Sequence, residues 1–130
     1  MTMRDRKAAY ARGLEAEDAA AKFLERLGLV EIARRAKMKG GELDLIVEDA
    51  QTLAFVEVKA RATLTDGVEA VRPRQQARIR AGLRAWLAQN DPEGVRLASK
   101  SIRCDVVVVA PACEPLHIPN AFPAADEGGY

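Results

Sequence analysis

Apolar residues recur at helical spacing in two stretches of the chain. In residues 13–27 they recur every third or fourth position, which predicts an amphipathic helix that ends at Gly28. Residues 73–89 show the same spacing, and Pro73 suits the first turn of this second helix. The second helix is expected to turn four apolar side chains toward the core, those of Ile79, Leu83, Trp86 and Leu87.

The strongest strand pattern lies between these helices, in two apolar segments interrupted by charged residues. Gly41–Ile46 and Phe55–Lys59 alternate as strands do, and the polar break between them has hairpin length. We therefore predict an antiparallel hairpin with Ala50 and Gln51 at the centre of its turn. That register pairs Ile46 with Phe55 and Asp44 with Glu57.

Other apolar runs complete the predicted fold. Residues 29–36 indicate a first strand, residues 102–110 a buried strand, and residues 116–118 a possible short last strand. The order of elements is thus αβββαβ, with or without that last strand. Segments that are apolar on both faces predict an α/β fold with a central mixed sheet, an antiparallel hairpin within it, and helices on both sides.

The chain has 130 residues, which is enough for one domain with its own core. We predict a flexible basic arm over residues 1–12 and a single domain over residues 13–118. Residues 119–130 are rich in proline, alanine, glycine and acid, which predicts a disordered tail.

Composition limits the location of the protein more than its partners. The formal net charge of +1 neither favours nor excludes a nucleic-acid partner. Cys104 and Cys113 lack a CxxC spacing, so we expect both to be reduced and Cys104 to be buried. No apolar stretch follows the basic N-terminus, and the longest apolar run, residues 106–110, is too short to span a bilayer. We therefore expect a cytoplasmic protein with no membrane contact.

Three charged side chains lie within the apolar hairpin strands: Asp44, Glu57 and Lys59. Two buried carboxylates that face each other repel, and a divalent cation removes that repulsion. Mg²⁺ prefers oxygen ligands and is commonly held by one or two carboxylates, so Asp44 and Glu57 fit, with the backbone carbonyl of Val58 as a third oxygen. Lys59 would position an attacking water or offset charge on a phosphodiester. A plain salt bridge between Glu57 and Lys59 is the alternative interpretation.

Two further groups of residues are candidates for this chemistry. Glu17 falls at the edge of the buried stripe of the first helix, where it is either an outer-sphere or second-metal ligand of the site or a solvated acid. The second helix is rich in arginine, and a basic connection precedes the hairpin, so these surfaces either contact a DNA backbone or are solvated basic faces. The candidate substrate contacts are Arg35, Lys37, Arg74, Gln75 and Arg78.

Three motifs carry a resemblance to a known family. They are E-x-x-A-x-x-x-L from Glu17, G-G-E-L-D-L-I from Gly40, and F-V-E-V-K-A-R from Phe55. Together they resemble the YraN-like bacterial family, which is itself similar to archaeal Holliday junction resolvases of the PD-(D/E)XK, restriction-endonuclease-like superfamily. The similarity covers roughly residues 10–110 and is specific through its two longer motifs.

The resemblance implies a restriction-endonuclease-like fold, a Mg²⁺ or Mn²⁺ cofactor, and a DNA substrate that is possibly branched. It implies a catalytic set of Glu17, Asp44, Glu57 and Lys59, with Asp44 and Glu57 as metal ligands. It also makes a homodimer possible, because resolvases act as dimers. Arg35 stands where the family usually has asparagine and Gln75 where it usually has lysine, which puts the substrate contacts in question.

Three functional hypotheses follow. The first is a Mg²⁺- or Mn²⁺-dependent DNA endonuclease that hydrolyses phosphodiester bonds. The second is a non-catalytic nucleic-acid-binding or adaptor module that retains the nuclease fold. The third is a protein-interaction domain that binds neither DNA nor a metal ion.

Overall fold

A computed structural model describes residues 1–67 and 71–125 of the chain. Its five strands form one sheet in the order β1-β2-β3-β4-β5, in which β3 and β4 are parallel and the other neighbours are antiparallel. The elements in chain order are α1 (Met3–Arg26), β1 (Val30–Met38), β2 (Gly41–Glu48), β3 (Thr52–Ala60), α2 (Leu64–Gly67), α3 (Pro73–Asn90), α4 (Val95–Ser99), β4 (Ser101–Val109) and β5 (Leu116–Phe122). The predicted mixed α/β architecture is confirmed.

Helices cover both faces of the sheet. Successive side chains of its central strands point to opposite sides, so apolar side chains on both faces are buried by helices. On one face α3 packs its predicted stripe, and Trp86 meets Phe55 edge-on at a ring-centroid distance of 5.7 Å. On the other face Leu24 of α1 packs with Val56 and other buried residues. The sheet is thus the middle layer of three.

The first helix begins earlier than the sequence analysis predicts. It starts at Met3, not at Gly13, so the segment expected to be a basic arm is helical from its third residue. A capping box explains the start: the Thr2 hydroxyl accepts the backbone N–H of Asp5, and the Asp5 carboxylate accepts the backbone N–H of Thr2. This signal is present in the sequence, but apolar periodicity alone does not detect it.

The predicted hairpin register is confirmed where β2 and β3 pair. Ile46 lies opposite Phe55, and Ala50 and Gln51 occupy the centre of the turn. Asp49 fixes this turn, because its side-chain oxygen accepts the backbone N–H groups of Gln51 and Thr52 at 2.9 and 2.8 Å. These side-chain hydrogen bonds of Asp49 therefore stabilise the tight turn, a role that an Asn-Gly pair has in other hairpins.

The C-terminal part of the chain is more ordered than the prediction of a tail from residue 119. Strand β5 runs to Phe122, and that ring is buried in the core. The backbone N–H of Asn120 also donates to the buried carboxylate of Asp105 at 2.9 Å. These contacts continue the strand beyond the predicted Ile118, while residues 126–130 lie outside the described part.

The remaining predictions concern loops, cysteines and membranes. The loop predicted at 61–71 contains the short helix α2, and its residues 68–70 lie outside the described residues. Cys104 is buried and Cys113 is exposed, and both are free thiols, as predicted. Within the described ranges, no helix has both the length and the apolar character needed to cross a membrane.

Candidate metal and catalytic site

The hairpin opens at the position of Asp44. Pairing between β2 and β3 ends at Leu45 and Val56, one pair short of the predicted Asp44–Glu57 pair. Beyond that point the Oδ2 atom of Asp44 accepts the backbone N–H of Val58 at 2.9 Å. The Asp44 side chain thus takes the place of a backbone acceptor for this N–H. We call the opening formed by Asp44, Glu57 and Val58 the fork.

A local irregularity in β2 creates the fork. Leu43 packs on the α3 face while Leu45 packs on the α1 face, although residues two apart in a regular strand share one face. The neighbouring β1 residue opposite Asp44 is Arg35, whose φ of 52° is left-handed and uncommon for a residue other than glycine. Both strands are therefore irregular at this level, and the Asp44 carboxylate points toward β3.

Burial and mutual repulsion dominate the electrostatics of the two carboxylates. Burial, followed by the charge of Asp44, raises the pKa of Glu57 from 4.5 to about 8. Burial likewise raises the pKa of Asp44, although the N–H of Val58 opposes this effect. The two carboxyl groups lie within hydrogen-bonding contact of each other. A pair of this kind binds a proton or another cation readily.

Lys59 and Gln75 complete the group of side chains around Glu57. The Lys59 ammonium lies 3.7 Å from the Glu57 carboxylate and donates to the Oε1 atom of Gln75 at 3.0 Å. The Nε2 atom of Gln75 donates to Glu57 at 3.1 Å. The salt bridge of the alternative interpretation is therefore present, but it forms part of a larger network that includes Asp44.

Two glycines hold α3 close enough for Gln75 to reach the fork. A Cβ atom on Gly41 would lie 2.5 Å from the backbone carbonyl oxygen of Arg78, a distance that real Cβ atoms do not show. A Cβ atom on Gly82 would lie 3.3 Å from the carbonyl oxygen of Gly41. The start of β2 and the middle of α3 thus touch through their backbones, which gives the Gly40-Gly41 motif a packing role beyond its turn.

Glu17 is buried, which rules out the alternative that it is a solvated helix acid. Its residue exposure is 6%, and its Oε1 atom accepts a hydrogen bond from the Nε atom of Arg35 at 2.5 Å. The guanidinium of Arg35 also lies 4.9 Å from the centre of the Tyr10 ring. The structure thus joins the predicted helix acid to a predicted substrate contact.

The predicted substrate residues fall into two groups. Arg35 and Gln75 belong to the networks just described. Lys37, Arg74 and Arg78 are exposed, and no ion pair or side-chain hydrogen bond joins them to another residue in ranges 1–67 and 71–125. Their charges therefore face solvent.

A second buried acid, Asp105, lies inside β4 with 0% exposure. Arg103 donates two hydrogen bonds to its carboxylate, at 3.1 and 2.8 Å. His117 also contacts it at 2.8 Å. Although burial acts in the opposite direction, these hydrogen bonds lower the pKa of Asp105. Its partners satisfy it fully, which is typical of a structural carboxylate.

The donor set of the fork suits a hard divalent cation. Asp44 and Glu57 supply carboxylate oxygens, and a raised pKa shows that their negative charges lack full compensation. A strand residue presents its N–H and C=O to the same side, so the Val58 carbonyl faces the gap into which its N–H donates. Among the described residues, no three His, Cys, Asp or Glu side chains are grouped as for an all-protein metal cage. The fork therefore fits an ion that retains several waters.

Comparison with known proteins places the chain among bacterial relatives. Residues 16–109 match the model of a family described as "Uncharacterised protein family UPF0102". A UPF0102 protein of Methylorubrum populi is 48% identical over 118 residues, covering 90% of each chain. One from Rhodopseudomonas palustris is 46% identical over 119 residues, covering 92% of this chain and 88% of the relative. One from Bradyrhizobium diazoefficiens is 40% identical over 121 residues, covering 93% and 88%.

Proposed function

We propose that this chain, which belongs to the uncharacterised protein family UPF0102, is a Mg²⁺- or Mn²⁺-dependent endonuclease that hydrolyses DNA phosphodiester bonds. One observation carries this proposal: the Glu57 side chain is only 12% exposed and lies beside Asp44, and its pKa is raised to about 8. Strongly perturbed carboxylates with a charged partner are characteristic of functional sites. The resemblance in the motifs adds a restriction-endonuclease-like fold to the proposal.

The residues of the fork have distinct roles in this proposal. Asp44, Glu57 and the carbonyl of Val58 would hold the divalent ion. When bound, such an ion activates water and stabilises negative charge on the phosphate. Lys59, 3.7 Å from Glu57, would place its ammonium where charge develops on the phosphodiester. Gln75 accepts a hydrogen bond from Lys59 and so restricts the positions that this ammonium can take.

The basic residues near the fork supply a surface for the DNA backbone. Lys37 lies near the end of β1, and Arg74 and Arg78 lie on the first half of α3. These two elements are neighbours, because the backbone of Gly41 packs against that of Arg78. Unpaired lysine and arginine side chains release counterions when they bind phosphates, which favours DNA binding at low salt. By the resemblance to resolvases, the proposal includes branched DNA and a homodimer.

The direct test is metal-dependent cleavage of a panel of labelled DNA substrates, namely single strands, duplexes and four-way junctions. Wild-type protein should cut at least one substrate in Mg²⁺ or Mn²⁺ and none in EDTA. Lys59→Ala should lose cleavage and keep its thermal unfolding midpoint within a few degrees. Lys22 is an exposed lysine whose ion pair among the described residues is with Asp18, so Lys22→Ala is the matched control and should cleave as the wild type does. Equal cleavage by Lys59→Ala would remove the catalytic assignment.

A non-catalytic DNA-binding module is the second candidate, and one observation favours it. Gln75 holds both Lys59 and Glu57 in a closed network, a contact that must rearrange before either residue acts on a substrate. This candidate predicts salt-sensitive DNA binding with no cleavage in any metal ion. Mn²⁺ calorimetry separates both candidates from a plain protein-interaction domain, since Asp44→Asn should abolish any heat of binding.

The cytoplasmic location stays a prediction.

A further inference from the structure

Arg35 and Glu17 form a connection between α1 and the strand beside the fork. Alternation along β1 would send consecutive side chains to opposite faces, yet Arg34 and Arg35 both reach acids of α1. The left-handed φ of Arg35, 52°, permits this departure from alternation. A non-glycine residue in this conformation is strained, and such strain concentrates at functional sites.

The guanidinium of Arg35 is only partly used by its contacts. Its Nε atom donates to Glu17, and its side chain is 28% exposed. Among the described residues, neither Nη atom makes a hydrogen bond. One hydrogen bond, to Glu17, and one cation–π contact, with Tyr10, therefore hold the group while donor capacity on its Nη atoms stays unused. An arginine edge held in this way suits an oxygen anion such as a phosphate.

We propose that in this chain Glu17 is not a metal ligand but a positioning residue that holds Arg35, and that Arg35 contacts a phosphate of bound DNA beside the fork. The inference rests on the proposed function. Under this proposal two side chains place positive charge near the phosphate, the ammonium of Lys59 and the guanidinium of Arg35. The metal site then consists of Asp44, Glu57 and the Val58 carbonyl.

Three features of the structure support this division of roles. The Glu17 carboxylate is buried and paired with Arg35, whereas Asp44 and Glu57 lie beyond the last β2–β3 pair, where the two strands separate. In the register of β1 and β2, Arg34 faces Leu45 and Ala36 faces Leu43, so Arg35 is the β1 residue at the level of Asp44. The hydrogen bond that Arg35 donates to Glu17 also raises the pKa of Arg35, so its charge is permanent.

Mn²⁺ binding without DNA tests the role of Glu17. Calorimetry should give Glu17→Gln and the charge-balanced double variant Glu17→Gln/Arg35→Gln the wild-type dissociation constant within about twofold, because neither residue binds the ion. Asp44→Asn should weaken Mn²⁺ binding at least about tenfold, because a ligand is lost. A loss of about tenfold in the double variant, which keeps the net charge, would identify Glu17 as a ligand and overturn the proposal.

DNA binding in EDTA tests the role of Arg35, measured by fluorescence anisotropy of a fluorescein-labelled duplex over a series of salt concentrations. Arg35→Gln should lower the affinity roughly tenfold near 0.1 M salt and reduce the slope of log K against log salt by about one. Glu17→Gln should lower affinity roughly threefold with the slope unchanged, because Arg35 keeps its charge but loses its orientation. The matched control is Arg34→Gln, since Arg34 pairs with Glu31 and Asp18 at the surface, and it should bind as the wild type does.

The outcomes separate this inference from the proposed function. If neither the wild type nor any variant binds Mn²⁺, the proposed metal site is wrong, and the slopes of the anisotropy measurements still decide the role of Arg35. If Mn²⁺ binds as expected but Arg35→Gln keeps the wild-type affinity and slope, the phosphate contact is wrong while the metal site stands. Thermal unfolding of each variant checks that the fold is retained. Absence of both Mn²⁺ and DNA binding in folded wild-type protein would overturn both proposals.

Discussion

Replacing Glu57 by glutamine should make the protein more stable at pH 8. Glu57 has only 12% of its side chain exposed and lies beside a second carboxylate. Ionising it in the folded state therefore places a second negative charge in a poorly solvated position. Glutamine keeps the size of the side chain and its hydrogen bonding to Gln75, but it carries no charge.

The sign and size of the effect follow from the two pKa values of Glu57. Its pKa is about 8 in the folded protein against an ordinary 4.5, so between these values the folded state holds a proton that the unfolded state has lost. Stability of the wild type should therefore fall as the pH rises from 4.5 to about 8 and level off above it. At about 1.4 kcal/mol for each pH unit, the ceiling is roughly 5 kcal/mol. Rearrangement and water entry in the ionised state reduce this figure, so we expect about 2–3 kcal/mol.

The assay is chemical unfolding of wild type and Glu57→Gln at a series of pH values. The two stability curves should meet near pH 4.5 and diverge toward pH 8, with the variant more stable. Glu48→Gln is an internal control of opposite sign. Burial opposes the effect, but Arg96 and Lys100 lower the pKa of Glu48, so removing its charge should destabilise the protein at pH 8. Parallel curves for wild type and Glu57→Gln, or a less stable variant at pH 8, would refute this explanation of the fork.

Three further outcomes follow from the same contacts. Gly41→Ala should destabilise the fold by about 1–3 kcal/mol in thermal unfolding, because the added Cβ would overlap the carbonyl of Arg78. Gly13→Ala in α1 is the control and should not destabilise the fold, because its Cβ would meet only a side-chain nitrogen at 3.5 Å. Asp105→Asn should cost about 3 kcal/mol, since the Arg103 guanidinium loses its counter-charge, and faster hydrogen exchange in β5 checks this. Mn²⁺ at about 100 times its dissociation constant should add about 2.7 kcal/mol to unfolding at pH 8, and Asp44→Asn should not respond.

Apolar periodicity is sufficient to predict the strands of the hairpin, the second helix and the covering of both sheet faces. These features repeat over many residues, so local patterns determine them. Strand alternation also assigns Phe55 and Glu57 to one face of the sheet. Single contacts account for the differences: the Thr2 capping box extends α1, and the acceptor atom of Asp105 extends β5. The first signal is local and readable, whereas the second depends on pairing between residues far apart in the chain.

The composition of the fork is predictable from local patterns, but its shape is not. A regular hairpin would place Asp44 opposite Glu57, and no local pattern indicates that Leu43 and Leu45 pack on different faces. At this level β2 touches α3 through Gly41 and Leu43, and such tertiary contacts leave no local pattern in the sequence. Likewise, the charge of Glu17 stands out because it lies beside a buried stripe, but its partner Arg35 reaches it only through a left-handed backbone. Irregular backbone is where local patterns predict least and where this candidate site lies.

The two carboxylates of the fork lie on strands that differ in how they are paired at this level of the sheet. Strand β3 pairs with β4 along its whole length, from Thr52 to Ala60, so Glu57 and Lys59 are fixed by a continuous parallel ladder. Strand β2 is released from β3 beyond Leu45, so Asp44 is held by a single backbone N–H. We therefore expect the Asp44 side chain to be the part that moves when an ion binds, while Glu57 and Lys59 keep their positions.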